Sequence, residues 1–360
     1  MTSTASPSQP TPDPDLVKLA AFTVFQIKQG ELLATMIQLG HRLGLFVALD
    51  GNPATIDQLA ERTGYHRRWL QEWLYAVTAA KLLTLTDDEF VLSPEMAVVL
   101  ARSGQPGFIG SIFGAPITPA TVDRLAEAFT TGVGFSWDDH GESTCHMQAE
   151  LSSGSQQHFL VPVVLAAIEG LHDKLAEGIT MYDVGCGSGI AACTIAAAFP
   201  NSTVIGIDPS GHAISAAKER ASSNGLTNAS FIEGTFDDLP DGSVEFVLTL
   251  DVLHDLPYPV KAIERVKAAL SADGVWLVAD IKAGEHFTDN LKNPMLALFY
   301  SMSVAYCMNS ALSEPGGAGL GTMGLHPERM MGWTEAAGFR SLVIHEFDHD
   351  ISNRYFEVRP

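Results

Sequence analysis

Tyr182-Asp183-Val184-Gly185-Cys186-Gly187-Ser188-Gly189-Ile190 is the stretch that decides the fold. A β-favouring run ends at Val184, glycines alternate through Gly189, and an apolar helical pattern opens at Ile190. Glycine lets the chain turn sharply from strand into helix and lets a ligand approach the main chain closely. A glycine turn by itself needs no ligand. The context here points to one, because Asp208 stands at the tip of the next β-branched run, where a carboxylate can accept two hydrogen bonds from a ribose diol. A dinucleotide site would use G-x-G-x-x-G, since pyrophosphate sits on a helix N-terminus. This loop is G-x-G-x-G, and Asp183 just upstream would repel phosphate and suit a cation.

Outward from the loop, short β-branched runs alternate with helical patterns. Strands are expected at about 180–184, 203–208, 229–233, 244–250 and 275–281, with helices at about 190–198, 212–223 and 259–270. Such alternation predicts a parallel sheet covered on both faces. A helix near 327–337 and strands at about 341–347 and 354–359 follow a long interruption. Ser352-Asn353 reads as a short turn, so the last two strands should pair antiparallel.

Upstream, residues 1–15 form a proline-rich tail expected to be disordered. Leu16 to about Leu49 is helical and apolar over more than one stripe, which implies packing against another chain. Thr55 caps a short helix, Thr63-Gly64 turns, a second helix runs from about Tyr65 to Lys81, and Leu82–Leu85 pairs with Phe90–Leu92. That order is a winged helix. Read as a DNA reader it would place Arg67 and Arg68 in the major groove; read as a scaffold it supports dimerisation. Four basic residues (Arg62, Arg67, Arg68, Lys81) face eight acidic ones (Asp50, Asp57, Glu61, Glu72, Asp87, Asp88, Glu89, Glu95), which favours the scaffold. Residues 100–145 are rich in Gly and Pro, with 130–140 as a mobile cover, and a helix is expected over about 159–175. The expected division is a tail over 1–15, a winged-helix dimerisation domain over 16–115, a connector and active-site cover over 116–175, and an α/β domain over 176–360.

The whole chain has 360 residues and a net charge of -21, with 46% hydrophobic and 18% charged residues. That supplies ample core, and its field repels nucleic-acid backbones. The four cysteines include no C-x-x-C pair, so no disulfide framework or zinc site is indicated. His345 and His349 with Asp348 and Asp350 read as a solvated turn, and no metal is expected. No apolar run approaches a membrane span, and the first residues lack a signal-peptide pattern. The expectation is a soluble cytoplasmic protein.

Asp183-Val-Gly185-Cys-Gly187-Ser-Gly189 and the order of elements over 180–360 resemble class I S-adenosylmethionine-dependent methyltransferases. The resemblance implies a Rossmann-like seven-stranded sheet with an antiparallel last strand, preceded by an α-rich winged-helix domain. It implies S-adenosyl-L-methionine as cofactor, held by Asp183, Gly185, Cys186, Gly187, Leu250 and Asp251. Asp208 would take the ribose hydroxyls and Pro209 would lie near the adenine. Thr235 stands where many members carry Asp, and it would meet the adenine amino group through its hydroxyl, with Phe236 offering its amide or ring.

Leu250-Asp251-Val252-Leu253-His254-Asp255 ends the fourth strand, at the edge where ligands bind in such sheets. His254 is suited to remove a proton near neutral pH; equally, a histidine there can simply order a loop. The winged helix together with this His-Asp pair resembles small-molecule O-methyltransferases, including bacterial members of unassigned substrate. That likeness makes His254 the base, Asp280 its orienting carboxylate, and leaves no acid at Met323-Gly324 where a second one belongs. It also makes residues 284–325 a substrate-pocket insertion, with Met295, Phe299, Met302 and Tyr306 as walls. Trp137 and Phe22 are added to them, with Phe25, His140 and Phe159 as further closures. The implied activity is O-methylation of an apolar small molecule by a homodimer. N- or C-methylation without a base, and a winged-helix regulator sensing the cofactor or a lipophile, stay open beside it.

Overall fold

The computed structural model describes residues 11–360, so the tail expected over 1–15 lies outside the described residues up to position 10. Its last positions are already helical. Helix α1 (Pro14–Arg42) is capped by Asp13, whose carboxylate accepts from the Asp15 amide, and Pro14 sits where a missing N–H costs nothing.

The chain divides into two compact units, one ending at Arg102 and one spanning Ser103–Pro360. The sequence reading puts the break near residue 115. Residues 103–114 instead pack on a helix of the second unit: Gly154 lies against the Gln105 carbonyl with no room for a Cβ, and Ser103 donates to Glu150.

In the first unit α1 and α2 (Leu45–Leu49) lead to α3 (Ile56–Thr63) and α4 (Arg67–Ala79). Thr55 and Gln58 form a reciprocal cap, and Gly64 ends α3 in the left-handed conformation that glycine adopts without strain. Strands β1 (Thr84–Thr86) and β2 (Glu89–Val91) make the wing, joined by Asp87 and Asp88, both at positive φ as a tight hairpin turn requires. Helix α5 (Pro94–Leu100) completes the unit. Arg67 is paired with Asp57 and Arg68 with Glu72, so each guanidinium carries its own carboxylate. Leu16, Leu19, Phe22, Phe25, Ile27 and Leu32 on α1 are exposed.

The second unit begins with α6 (Pro119–Thr131), α7 (Glu142–His158) and α8 (Leu171–Glu177). The helix expected over 159–175 is present only in pieces, as a π turn, the 3-10 turn Leu165–Ala167 and the start of α8. Its apolar stretch is broken by a π turn at Leu160–Val164 that contains Pro162, which cannot donate to a helical ladder, and by Gly170 at positive φ. The sheet follows: β3 (Thr180–Val184), α9 (Ile190–Ala198), β4 (Thr203–Asp208), α10 (Gly211–Ser223), β5 (Ala229–Glu233), β6 (Val244–Leu250), α11 (Pro259–Ala269) and β7 (Leu270–Ile281). The insertion contributes α12 (Leu296–Met302) and α13 (Met308–Ala311), and α14 (Pro327–Ala336), β8 (Ser341–His345) and β9 (Asn353–Arg359) end the chain.

The order is β5-β4-β3-β6-β7-β9-β8, with the last strand antiparallel between β7 and β8. Apolar residues of α8, α9 and α10 cover one face, those of α11 and α14 the other. The connection before β9 is longer than a Ser352-Asn353 turn. Asp350 organises it, its carboxylate accepting from the Ser352 and Asn353 amides and the Tyr355 hydroxyl. His345 bonds Glu357 at 2.9 Å and His349 stacks on Phe159 at 4.2 Å, so these two histidines are engaged separately. Among the described residues, no helix is long and apolar enough to cross a membrane.

Candidate active site

The glycine loop leaves β3 with Gly185, Gly187 and Gly189 all at positive φ, a run that residues with a Cβ would hold only under strain. A Cβ at Gly185 would run into Val252 and one at Gly189 into Phe231, whereas at Gly187 it would meet nothing within 4 Å. The open side of the loop is thus at Gly187, where a ligand can reach the main chain. A cavity of about 290 Å³ opens beside Ser188, walled in part by Cys145, Ile190, Ala213 and Arg220.

Asp208, at the tip of β4, ties this loop down. Its Oδ2 accepts from the Gly187 amide and its Oδ1 from the Ser210 amide, each at 2.9 Å. Each oxygen keeps a lone pair for a diol. Burial raises the Asp208 pKa, against the two amides that lower it. Asp183 is 2% exposed, and its Oδ2 has no hydrogen-bond partner. Burial, then the neighbouring Asp208, push it up to about 7. An orphaned carboxylate oxygen and a glycine loop with open space beside it fit a ligand that brings a cation and a ribose.

Pro209 is exposed beside this carboxylate. Ser210 donates to Asp138 at 2.6 Å, which brings the 3-10 turn Asp138–His140 to the same corner, a contact no sequence signal announced. Phe236 needs correction, and the exposed Thr235 carries a local bond as well. The Thr235 hydroxyl caps the turn Phe236–Asp238, accepting from Asp237 while its own amide donates to Asp238. The Phe236 ring is buried in the core, so what it retains for a ligand is its amide.

At the end of β6, Leu250 leads into Asp251, a non-glycine at φ 58. Asn353 donates to both oxygens of its carboxylate at 2.9 and 3.0 Å, and burial with the Asp280 charge pushes it up to about 7. His254 follows in the turn Leu253–Asp255 and is 4% exposed. Its Nδ1 lies 2.8 Å from Oδ1 of Asp280, which is fully buried on β7. That bond places the ring proton on Nδ1 and turns Nε2 away from Asp280. Burial opposes the imidazolium, but the Asp280 and Asp255 carboxylates outweigh it and hold His254 well above the usual histidine range. Met323-Gly324 brings no acid here, and Asp255 Oδ1 stands 3.3 Å from Nε2. Cys307, from a π turn at Ser303–Cys307, reaches the same corner and accepts from the Thr322 hydroxyl at 2.9 Å.

The insertion places its expected walls unevenly. Tyr306 gathers with His140 (5.2 Å) and Trp137 (6.5 Å). Phe299 is buried with Ala283 and Met323, Met302 is half-buried, and Met295 is 40% exposed. Phe22 belongs to the first unit, and Phe159 stacks at the carboxy-terminal loop.

Residues 175–322 match a family described as a methyltransferase domain, and residues 31–102 one described as an Rv2258c-like winged HTH domain. A ribosomal protein L11 methyltransferase of Clostridium perfringens is 28% identical over 114 residues, 32% of this chain and 35% of its own length. Among solved structures, a mitomycin 7-O-methyltransferase superposes with a TM-score of 0.69 at 21% identity, over 96% of this chain and 99% of its own. Human N-acetylserotonin methyltransferase does so at 0.67 and 16%, over 98% and 99%. Likeness at that identity speaks for the fold. With the sheet order and the loop in hand, the chain carries an Rv2258c-like winged HTH domain over residues 31–102 followed by a methyltransferase domain over residues 175–322.

Proposed function

We propose that the protein is an S-adenosylmethionine-dependent methyltransferase that methylates a hydroxyl of an apolar small molecule, with His254 as general base. The observation that carries this reading is the His254–Asp280 pair, buried at the carboxyl ends of β6 and β7, on the same sheet edge as the glycine loop and Asp208. When bound, the cofactor supplies a methyl group on a sulfonium, already a good leaving group. Asp208 receives the ribose hydroxyls on its remaining lone pairs, and Asp183 offers negative charge to the cationic end. His254 takes the acceptor proton at Nε2 while Asp280 keeps hold of Nδ1–H and stabilises the imidazolium that forms. Holding the acceptor in line and excluding water supplies the rest, and in favourable cases amounts to ~7–11 kcal/mol. Trp137 and Tyr306 suit a flat apolar acceptor. Labelled cofactor and a panel of hydroxylated aromatic compounds test the reading: label on the oxygen of at least one compound supports it, and label on nitrogen or carbon alone overturns it.

Asp183 makes cofactor binding pH-dependent. With its pKa near 7, only about a tenth is ionised one pH unit lower, and the ionised form attracts the sulfonium. Affinity should rise roughly tenfold from pH 6 to pH 8, and Asp183→Asn should flatten the curve. Stability of the free protein runs the other way. The folded pKa lies above the unfolded value, so this contribution is lost as pH rises through 7. A flat affinity profile in the unmutated protein would remove Asp183 from the site.

The exposed apolar residues of α1 fit a second copy of this chain, the partner the winged helix would scaffold. Light scattering should give the dimer mass, and Phe22→Asp with Phe25→Asp should give the monomer. A monomer before mutation would exclude this arrangement.

A further inference from the structure

Three groups around His254 have no part in the proton transfer: Asp255 beside it in the chain, Cys307 from the insertion, and Thr322 beyond it. An imidazole nitrogen, a carboxylate oxygen and a sulfur from His254, Asp255 and Cys307 lie within 4.8 Å of one another. Asp255 Oδ1 is 3.3 Å from His254 Nε2, yet it is buried with no hydrogen-bond partner. A cation between them would accept a lone pair from each. Nitrogen and oxygen bound tetrahedrally at about 2.0–2.1 Å from zinc sit about 3.4 Å apart, which is the spacing found here.

The surroundings agree. A metal-bound imidazole nearly always donates its other N–H to a carboxylate, and Asp280 takes it at 2.8 Å. The Thr322 hydroxyl donates to the Cys307 sulfur at 2.9 Å, a bond that serves a thiolate well.

We infer that His254 Nε2, Asp255 Oδ1 and Cys307 Sγ form a site for zinc, with a fourth position open. Sulfur and imidazole select zinc over magnesium or calcium. Binding releases the Cys307 thiol proton to solvent. An occupied Nε2 accepts no proton, so zinc holds methyl transfer off and a chelator restores it. That consequence rests on His254 being the base; the site itself does not.

Chelator-treated full-length protein titrated with cobalt(II), then with zinc, tests the site. One cobalt per chain should bind with a sulfur-to-metal charge-transfer band and tetrahedral visible absorption, and zinc should bleach both. Cys307→Ser should lose the band and bind zinc more than ~100-fold more weakly, while Asp280→Asn keeps the band and loses ~10–100-fold. Retained S-adenosylhomocysteine binding reports that the variants fold. The absence of the band in the unmutated protein, or equal zinc affinity in Cys307→Ser, overturns the site. Tight zinc binding that leaves label transfer untouched overturns the inhibition and the base role together, with the site intact.

Discussion

Asp208→Ala should weaken S-adenosylhomocysteine binding by ~10²–10⁴-fold, measured by titration calorimetry. A hydrogen bond to a charged group contributes about 1.5–3 kcal/mol, and about 1.4 kcal/mol is tenfold, so losing two to the ribose gives this range. The substitution also releases the Gly187 and Ser210 amides that Asp208 holds, which lets the loop lose its shape. Asp208→Asn separates the two effects, because its single carbonyl oxygen can still accept one amide while its NH₂ meets the other amide as donor against donor. An affinity within threefold of the unmutated protein in the alanine variant would place the nucleoside elsewhere.

His254→Ala should do the opposite. Turnover should fall by ~10²–10⁴-fold, the usual contribution of a positioned base, while S-adenosylhomocysteine binding changes little. His254 sits in the turn after β6 and pairs with Asp280 on β7, rather than with the Asp208 carboxylate on β4. Asp280→Asn should lower turnover without adding to the His254 loss in the double variant, because the two side chains act as one unit. Full turnover in His254→Ala would reduce the histidine to a loop-ordering residue and favour N- or C-methylation.

The features legible in the sequence are those written in neighbouring residues. The glycine loop, Asp208 at a strand tip, and His254 after β6 each declare themselves within a few positions, and the alternation of strand and helix declares the sheet. The groups that escaped are assembled across the chain. Cys307 meets His254 through a π turn that no periodicity marks, and Asp138 meets Ser210 through the packing of a 3-10 turn. Thr235 has a local role that its residue type alone does not announce: its exposed hydroxyl also caps the turn Phe236–Asp238. The helical stretch expected over 159–175 is broken into pieces by one proline and one glycine inside an apolar run.

The central claim is that the loop at Gly187 with Asp183 and Asp208 grips a sulfonium nucleoside. Calorimetric titration of the unmutated protein with S-adenosylmethionine and, separately, with NAD tests it most directly. One S-adenosylmethionine per chain and no heat from NAD are expected; silence with the first, or saturation by the pyrophosphate nucleotide, would contradict it.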